Sequence, residues 1–275
     1  GFYNLVRYTA YRTGNPVKVG VIQGNIAQDL KWDPEAAEFI FNKYSKLTSA
    51  LAKDKPELII WPEAAVPGIL GEDKLVFEQV SSLVRTLNID FLVGAVSRQR
   101  QGYFNSALFI NKSGTLDKIY NKLHLVPFGE YIPLKQTFPF LQAFAVIGDI
   151  VPGKEFTIFT KPSNFGVLIC FEDLFPELSR QFIRKGAKFL VNITNDAWYK
   201  EGSAPYQHFS ASVLRAVENR VYLARAANTG ISGFVDPMGR ILQVVQNANH
   251  KKIFIDGAVS QDIYAPCGKS FYSSF

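Results

Sequence analysis

The chain has 275 residues, 47% hydrophobic and 14% aromatic, which is enough apolar material for one large α/β domain with a substantial core. Its net charge is +6, but the cations are scattered and the longest run is Lys251-Lys252, so the basic stripe of a nucleic-acid binder is missing, while weak attraction to an anionic lipid surface fits. Two cysteines, far apart and without a CxxC, argue against a metal site or a disulfide framework.

In chain order, VKVGVI (17–22) reads as a buried strand. Asp33-Pro34 then supplies an N-cap and a first-turn proline for a helix whose apolar face is Ile40, Tyr44, Leu47 and Leu51. ELIIWPE (57–63) is a short strand ending in an acid, and Val76, Val80, Leu83 and Leu87 mark a second amphipathic helix. FLVGAVS (91–97) and SALFIN (106–111) read as strands, with NKSG (111–114) turning the chain into TLDKIYNK. GVLIC (166–170) is a strand with Cys170 at its end, followed by a helix opened by Pro176 and closing near Gly186. FLVNIT (189–194) is another buried strand, and a helix runs from Pro205 to about Asn219. Strands at 221–227, 231–236 and 240–246 close the chain, the last two joined by the turn DPMG. Apolar strands alternating with amphipathic helices predict a helix-covered sheet, and the hairpin-like turns predict that it is mixed.

One segment does not fit a compact core. YIPLKQTFPFLQAFAVIGDIVPG (131–153) carries Phe138, Phe140 and Phe144 between prolines. It reads either as a long loop packed on its own domain or as a functional loop that touches lipid or roofs a pocket. No run reaches the roughly 18–20 apolar residues of a membrane span. The opening at Gly1 and the close on KSFYSSF lead us to expect a piece of a longer protein.

Glu63 and Cys170 end strands, and Lys122 follows an extended segment. Strand ends on one side of an α/β sheet converge on a crevice. There a carboxylate can take a thiol proton, and an ammonium can favour the thiolate and hold the oxyanion of an attacked carbonyl. Taken singly, each residue reads as an ordinary core Cys, capping Glu or surface Lys. Two other arrangements compete: a cysteine–histidine pair using His124 or His208, and a catalytically inert binding module.

WPE (61–63), NKLHLVPFGE (121–130) and ICFED (169–173), in that order, resemble the Glu–Lys–Cys signature of the nitrilase, or carbon–nitrogen hydrolase, superfamily. Within it, QGNIAQDLKW (23–32), NKLHLVPFGEYIP (121–133), NDAWY (195–199) and the stretch 207–241 resemble the apolipoprotein N-acyltransferase branch. The resemblance implies an α-β-β-α sandwich, with Glu63 as general base, Lys122 as oxyanion and thiolate stabiliser, and Cys170 as nucleophile. It further implies supporting acids Glu130 and Glu172, and substrate-binding Trp32 and Trp198. Phe171 stands where the branch often has Tyr. It makes 131–153, with Phe138, Phe140 and Phe144, a hydrophobic loop over the active site.

The same resemblance implies residues 1–16 as a linker from an upstream membrane helix, 17–260 as the catalytic domain and 261–275 as a linker towards a downstream one. The implied activity is acyl transfer from a phospholipid, through a Cys170 thioester, to the N-terminal amine of a diacylglyceryl-cysteine lipoprotein. The implied setting is a monomer on the periplasmic face of the bacterial inner membrane, without cofactor or metal. The alternative is a nitrilase-type amidase hydrolysing a small amide or nitrile with the same three residues. Cys267 receives no role.

Overall fold

A computed structural model describes residues 13–127, 129–130, 150–266, 268 and 270–274. Among the described residues twelve strands form two mixed sheets. The first begins with β1 (Thr13–Gln23), which pairs in parallel with β2 (Leu58–Ile60). β2 pairs in parallel with β4 (Asp90–Gln99), which also carries the short β3 (Ile69–Leu70) on its edge. β5 (Gly102–Ile110) and β6 (Leu116–Asn121) extend this sheet antiparallel. In the second sheet β7 (Phe165–Ile169), β8 (Phe189–Thr194) and β9 (Tyr222–Ala227) run parallel, and β10 (Gly233–Val235) and β11 (Ile241–Val244) add antiparallel hairpins. A last strand, β12 (Gly257–Ala265), which the sequence pattern does not announce, returns to the first sheet beside β1. That pairing runs from Thr13↔Ala265 to Gln23↔Gly257, so the sheet reaches a few residues past 17 and 260.

The period of two along each strand decides the layers. Val19, Val21, Leu58, Ile60 and Leu92 point from the first sheet towards Val167, Ile169, Val191 and Ile193 of the second, in one core cluster. Ile22, Ile59, Trp61, Phe91 and Val93 point the other way and pack under Ile40, Tyr44, Val80 and Val84. Those four belong to helices α1 (Ala37–Leu51) and α2 (Lys74–Leu87). Helices α3 (Pro176–Arg184) and α4 (Ala204–Asn219) cover the second sheet with Phe182, Phe209 and Ala216. The result is the expected α-β-β-α sandwich.

Helix starts follow the predicted chemistry. Asp33 accepts a 2.9 Å hydrogen bond from Glu35 N and starts a 3-10 turn at Pro34–Ala36 that leads into α1. The helix after Cys170 begins at Pro176 as expected, and a 3-10 turn, Cys170–Leu174, fills the interval between it and the strand. Among the described residues no helix is long and apolar enough to cross a membrane.

Candidate active site

Glu63 leaves β2 through Trp61-Pro62. Trp61 is fixed by its backbone N–H on Leu92 O (2.9 Å), its indole N–H on Thr48 Oγ1 (2.9 Å) and a stack on Tyr44. The chain then turns sharply, with Ala64 at φ +46°. Gly94 of β4 makes room for this turn, because a Cβ there would lie 2.2 Å from Pro62 O and 2.6 Å from Glu63 Cα. Glu63 is left buried, 8% exposed, with its carboxylate accepting a 2.7 Å hydrogen bond from Asn105 Nδ2.

Lys122 follows β6. Its N–H donates to Asn105 O (2.9 Å) and its carbonyl accepts from Gly153 N (2.7 Å), so the backbone on both sides is held. The side chain is 1% exposed and places Nζ 2.7 Å from Glu130 Oε2 and 3.8 Å from Glu63 Oε1. Burial works against this ammonium, but the charges of Cys170, Glu63 and Glu130 together outweigh it and hold its pKa above the ordinary lysine value. Lys122 is therefore a fixed cation.

Cys170 is the first residue after β7 and adopts φ +55°, a left-handed conformation costly for a residue with a Cβ. The surroundings hold it there: Asn192 Nδ2 donates to its carbonyl at 3.1 Å, and His208 Nε2 stands 3.4 Å from the same oxygen. Burial, with the charge of Glu63 added, pushes the thiol well above its ordinary range; Lys122 and a hydrogen bond from Thr194 oppose that rise without cancelling it. A resting neutral thiol of this kind acts as a nucleophile only when a base takes its proton. Of the two carboxylates whose charge reaches it, Glu63 acts the more strongly, and Asp196 is held by His208 and Arg225.

The supporting acids occupy distinct places. Glu130 is half-buried, bound to Lys122 and to Val126 N (2.9 Å). Glu172 is fully buried and accepts from Ile169 N (2.7 Å), Leu123 N (2.7 Å), His124 N (3.1 Å) and the Tyr120 hydroxyl (2.9 Å). It thus ties the segment after Lys122 to the strand before Cys170. Burial pushes its carboxyl up to about 7, against those backbone bonds and the charge of Lys122.

Phe171 lies between the rings of Tyr199 and His208, with centroids at 5.9 and 4.9 Å. Trp198 sits on the 3-10 turn Asp196–Tyr199 with 64% of its surface exposed. Trp32 closes a 3-10 turn, Leu30–Trp32, and its side chain lies outside the described residues, as do Phe138, Phe140 and Phe144 with the rest of 131–149.

Neither histidine is presented to the thiol as a base. His124 is exposed and stacks on Phe175. His208 Nδ1 stands 2.8 Å from Asp196 Oδ1, and its Nε2 stands 3.0 Å from Asp173 Oδ1. Arg225 completes that buried network, bonding Asp173 Oδ2 (3.0 Å), Asp196 Oδ2 (3.2 Å) and Asn192 Oδ1 (2.6 Å). Arg225, joined by His208 when its imidazole is protonated, offsets the two carboxylates beneath the Cys170 turn.

Sequence reasoning missed this network, and it missed Asn105, whose Nδ2 donates to both Glu63 Oε1 and Glu130 Oε1 at 2.7 Å. The available signal was polar: Asn105-Ser106 interrupts the apolar run of β5, and Arg225 interrupts that of β9.

With a carboxylate, an ammonium and a thiol in electrostatic contact, the arrangement can add sulfur to a carbonyl carbon and stabilise the resulting oxyanion. A family model described as carbon-nitrogen hydrolase matches residues 18–264. The chain belongs to the carbon–nitrogen hydrolase family.

Among solved structures, this carbon–nitrogen hydrolase superposes on an amidase of the nitrilase superfamily from Nesterenkonia AN1, with a TM-score of 0.67 at 17% identity over 92% of each chain. It superposes equally, at 0.67 and 19% identity over 91% of each chain, on Saccharomyces cerevisiae Nit3. Both likenesses establish the fold. Among curated proteins it is 39% identical over 280 residues to an apolipoprotein N-acyltransferase from Geobacter metallireducens, covering 99% of this chain and 53% of the relative. A Rickettsia prowazekii protein of the same name is 35% identical, covering 99% of this chain and 55% of its own length. The chain spans about half the length of the curated relatives it matches.

Proposed function

We propose that this chain carries the catalytic site of an apolipoprotein N-acyltransferase, moving a fatty acyl group from a phospholipid to the N-terminal amine of a diacylglyceryl-cysteine lipoprotein. The observation that carries the reading is the identity of 39% across 99% of the chain with a relative of that name, in a chain whose Glu63, Lys122 and Cys170 share one site. The amidase alternative has only a fold-level likeness, at 17% identity.

In the first half-reaction Glu63 takes the Cys170 proton and the thiolate sulfur bonds to the ester carbonyl carbon. The tetrahedral oxyanion is held by Lys122. It collapses by breaking the ester C–O bond, and Glu63 returns the proton to the departing lysophospholipid oxygen. In the second, the lipoprotein amine adds to the thioester carbon, Glu63 accepts the amine proton, the C–S bond breaks and the proton returns to sulfur. Splitting the transfer avoids gathering two lipids and a protein in one transition state. Glu130 and Glu172 position Lys122 and its strand end. Trp32, Phe171, Trp198 and the segment 131–153 contribute the apolar surround that keeps water from the thioester.

The wider setting belongs to the same proposal: residues 17–260 as catalytic domain, flanking segments leading to membrane helices, and a monomer at the periplasmic face of the inner membrane. The test is incubation of the purified protein with phospholipid vesicles and mass analysis. An acyl adduct on Cys170 that is lost in Cys170→Ala, and that passes to a diacylated lipopeptide, is expected. Acylation persisting in Cys170→Ala would refute the nucleophile, and release of free fatty acid alone would leave a hydrolase.

A further inference from the structure

The motif QGNIAQDLKW contains a charged residue that the chemistry above does not use. Lys31 lies in the 3-10 turn Leu30–Trp32, yet it is only 6% exposed. Burying an ammonium is costly unless it is paired, so a lysine in this position calls for a reason. Its Nζ donates a 2.9 Å hydrogen bond to the backbone oxygen of Glu63, the proposed base. Two carboxylates here, Glu63 and Glu130, accept from the same Asn105 amide. Lys122 does not serve them equally: its contact is 2.7 Å to Glu130 but 3.8 Å to Glu63. Without another cation, Glu63 would face a like charge with Lys122 committed mainly to Glu130, a conflict that a second positive charge relieves.

We propose that Lys31 is the positioning cation of Glu63, anchoring its carbonyl and supplying a second positive charge to the site that holds Glu63 and Glu130. The groups coupled to Glu63 are then Lys31 from the 3-10 turn, Lys122 after β6, Glu130, Cys170 after β7 and Tyr199 from the turn after β8. Two lysines balance two carboxylates, and the proton that moves from Cys170 to Glu63 stays within the set. Burial lowers Lys31 to about 8, with the charge of Glu63, and that of Cys170 once it is a thiolate, opposing the fall, so the ammonium persists at neutral pH and is lost above that value.

The inference rests on Glu63 acting as base, and its test does not use acyl transfer. The rate of Cys170 alkylation by iodoacetamide is followed against pH by mass spectrometry in the purified wild type, Lys31→Met, Lys31→Gln, Lys31→Arg and Lys31→Met/Glu130→Gln. In the two neutral variants the acid limb moves to higher pH, with a rate near pH 6 about tenfold below wild type. The gap closes above about 8, where the wild-type ammonium itself loses its charge. Lys31→Arg keeps the wild-type limb, and removing Glu130 in the double variant moves the limb back. A neutral-variant profile that overlays wild type, or one lowered by the same factor at every pH, overturns the proposal. Failure of either neutral variant to fold assigns Lys31 to the architecture alone and overturns it as well. If wild type takes no acyl group from phospholipid while the limb still moves, the acyl-transfer reading falls and this inference stands.

Discussion

Asn105 Nδ2 stands 2.7 Å from Glu63 Oε1, so the proposed base's carboxylate is oriented by a neutral amide rather than by Lys122, whose Nζ is 3.8 Å away. A hydrogen bond to a charged group is worth about 1.5–3 kcal/mol, or roughly a tenfold to hundredfold change in rate if it is fully lost in the transition state. Asn105→Ala is therefore expected to slow Cys170 alkylation at neutral pH by roughly that range while leaving the thermal midpoint within a few degrees. It also removes the amide donor that Glu63 and Glu130 share, leaving Lys122 between them. Alkylation within twofold of wild type would remove Asn105 from the base's support.

The network under Cys170 makes a prediction about stability. Asp173, Asp196 and Arg225 are fully buried, and Arg225 bonds both acids. Arg225→Met leaves two buried carboxylates facing each other with only His208 between them. Breaking a buried pair in this way costs about 3–5 kcal/mol, which denaturant unfolding should read as a fall in midpoint at unchanged slope.

His208 gives the same network a pH dependence. Burial and Arg225 both work against its imidazolium, but the hydrogen bonds to Asp173 and Asp196 outweigh them and raise it above its ordinary 6.5. The folded state therefore holds a proton that the unfolded chain releases, and stability falls as pH rises. The contribution is complete below about 6.5 and is lost as pH passes through the raised folded value. In His208→Gln the decline over that window should disappear from a plot of thermal midpoint against pH. A variant as steep as wild type there would place the titration elsewhere.

Most of the framework was legible because the strands are apolar runs and the helices carry a 3.6-residue stripe. Ile40, Tyr44 and Leu51 are buried on α1 as their spacing predicts, and Asp33 caps where expected. β12 was not legible: its sequence, GAVSQDIYA, is mostly half-buried at a sheet edge and carries no strong alternation. Glu63, Lys122 and Cys170 could be found because each ends or follows a strand and each matches a motif. Asn105, Lys31 and Arg225 could not be assigned that way, since their roles depend on which groups lie opposite them across the sandwich. A one-dimensional pattern marks a polar residue in an apolar run but does not name its partner.

Close backbone approach at Gly94 supplies a test of how tightly Glu63 is placed. The neighbouring turn is pinned by Ala65 N and Val66 N on Gly94 O, at 2.9 and 3.2 Å. A methyl at 94 would press on Pro62 O and the Glu63 Cα, which are backbone atoms that cannot rotate away. Gly94→Ala should cost about 1–3 kcal/mol as an overpacked site. It should also slow Cys170 alkylation by more than the loss of stability explains, because the base moves. Wild-type alkylation kinetics in a destabilised Gly94→Ala protein would mean that Glu63 does not need this geometry.

Glu172 joins the two halves of the site through Leu123, His124 and Ile169, and its carboxyl titrates near 7 rather than at the ordinary 4.5. The sign is again that of a folded state holding its proton longer than the unfolded chain. Stability attributable to this group falls between about 4.5 and about 7 and is flat above, the opposite of a salt-bridged acid. A shift of that size corresponds to roughly 3 kcal/mol across the window. Glu172→Gln cannot ionise, so the difference in unfolding free energy between wild type and variant should narrow as pH rises through that interval. The variant also presents an amide N–H₂ where the carboxylate accepts from backbone donors, so it should be the less stable protein at low pH and slower in Cys170 alkylation, through a displaced Lys122 segment. A difference that stays constant from 4.5 to 7 would mean that the carboxyl is already ionised throughout, and that its four hydrogen bonds outweigh burial.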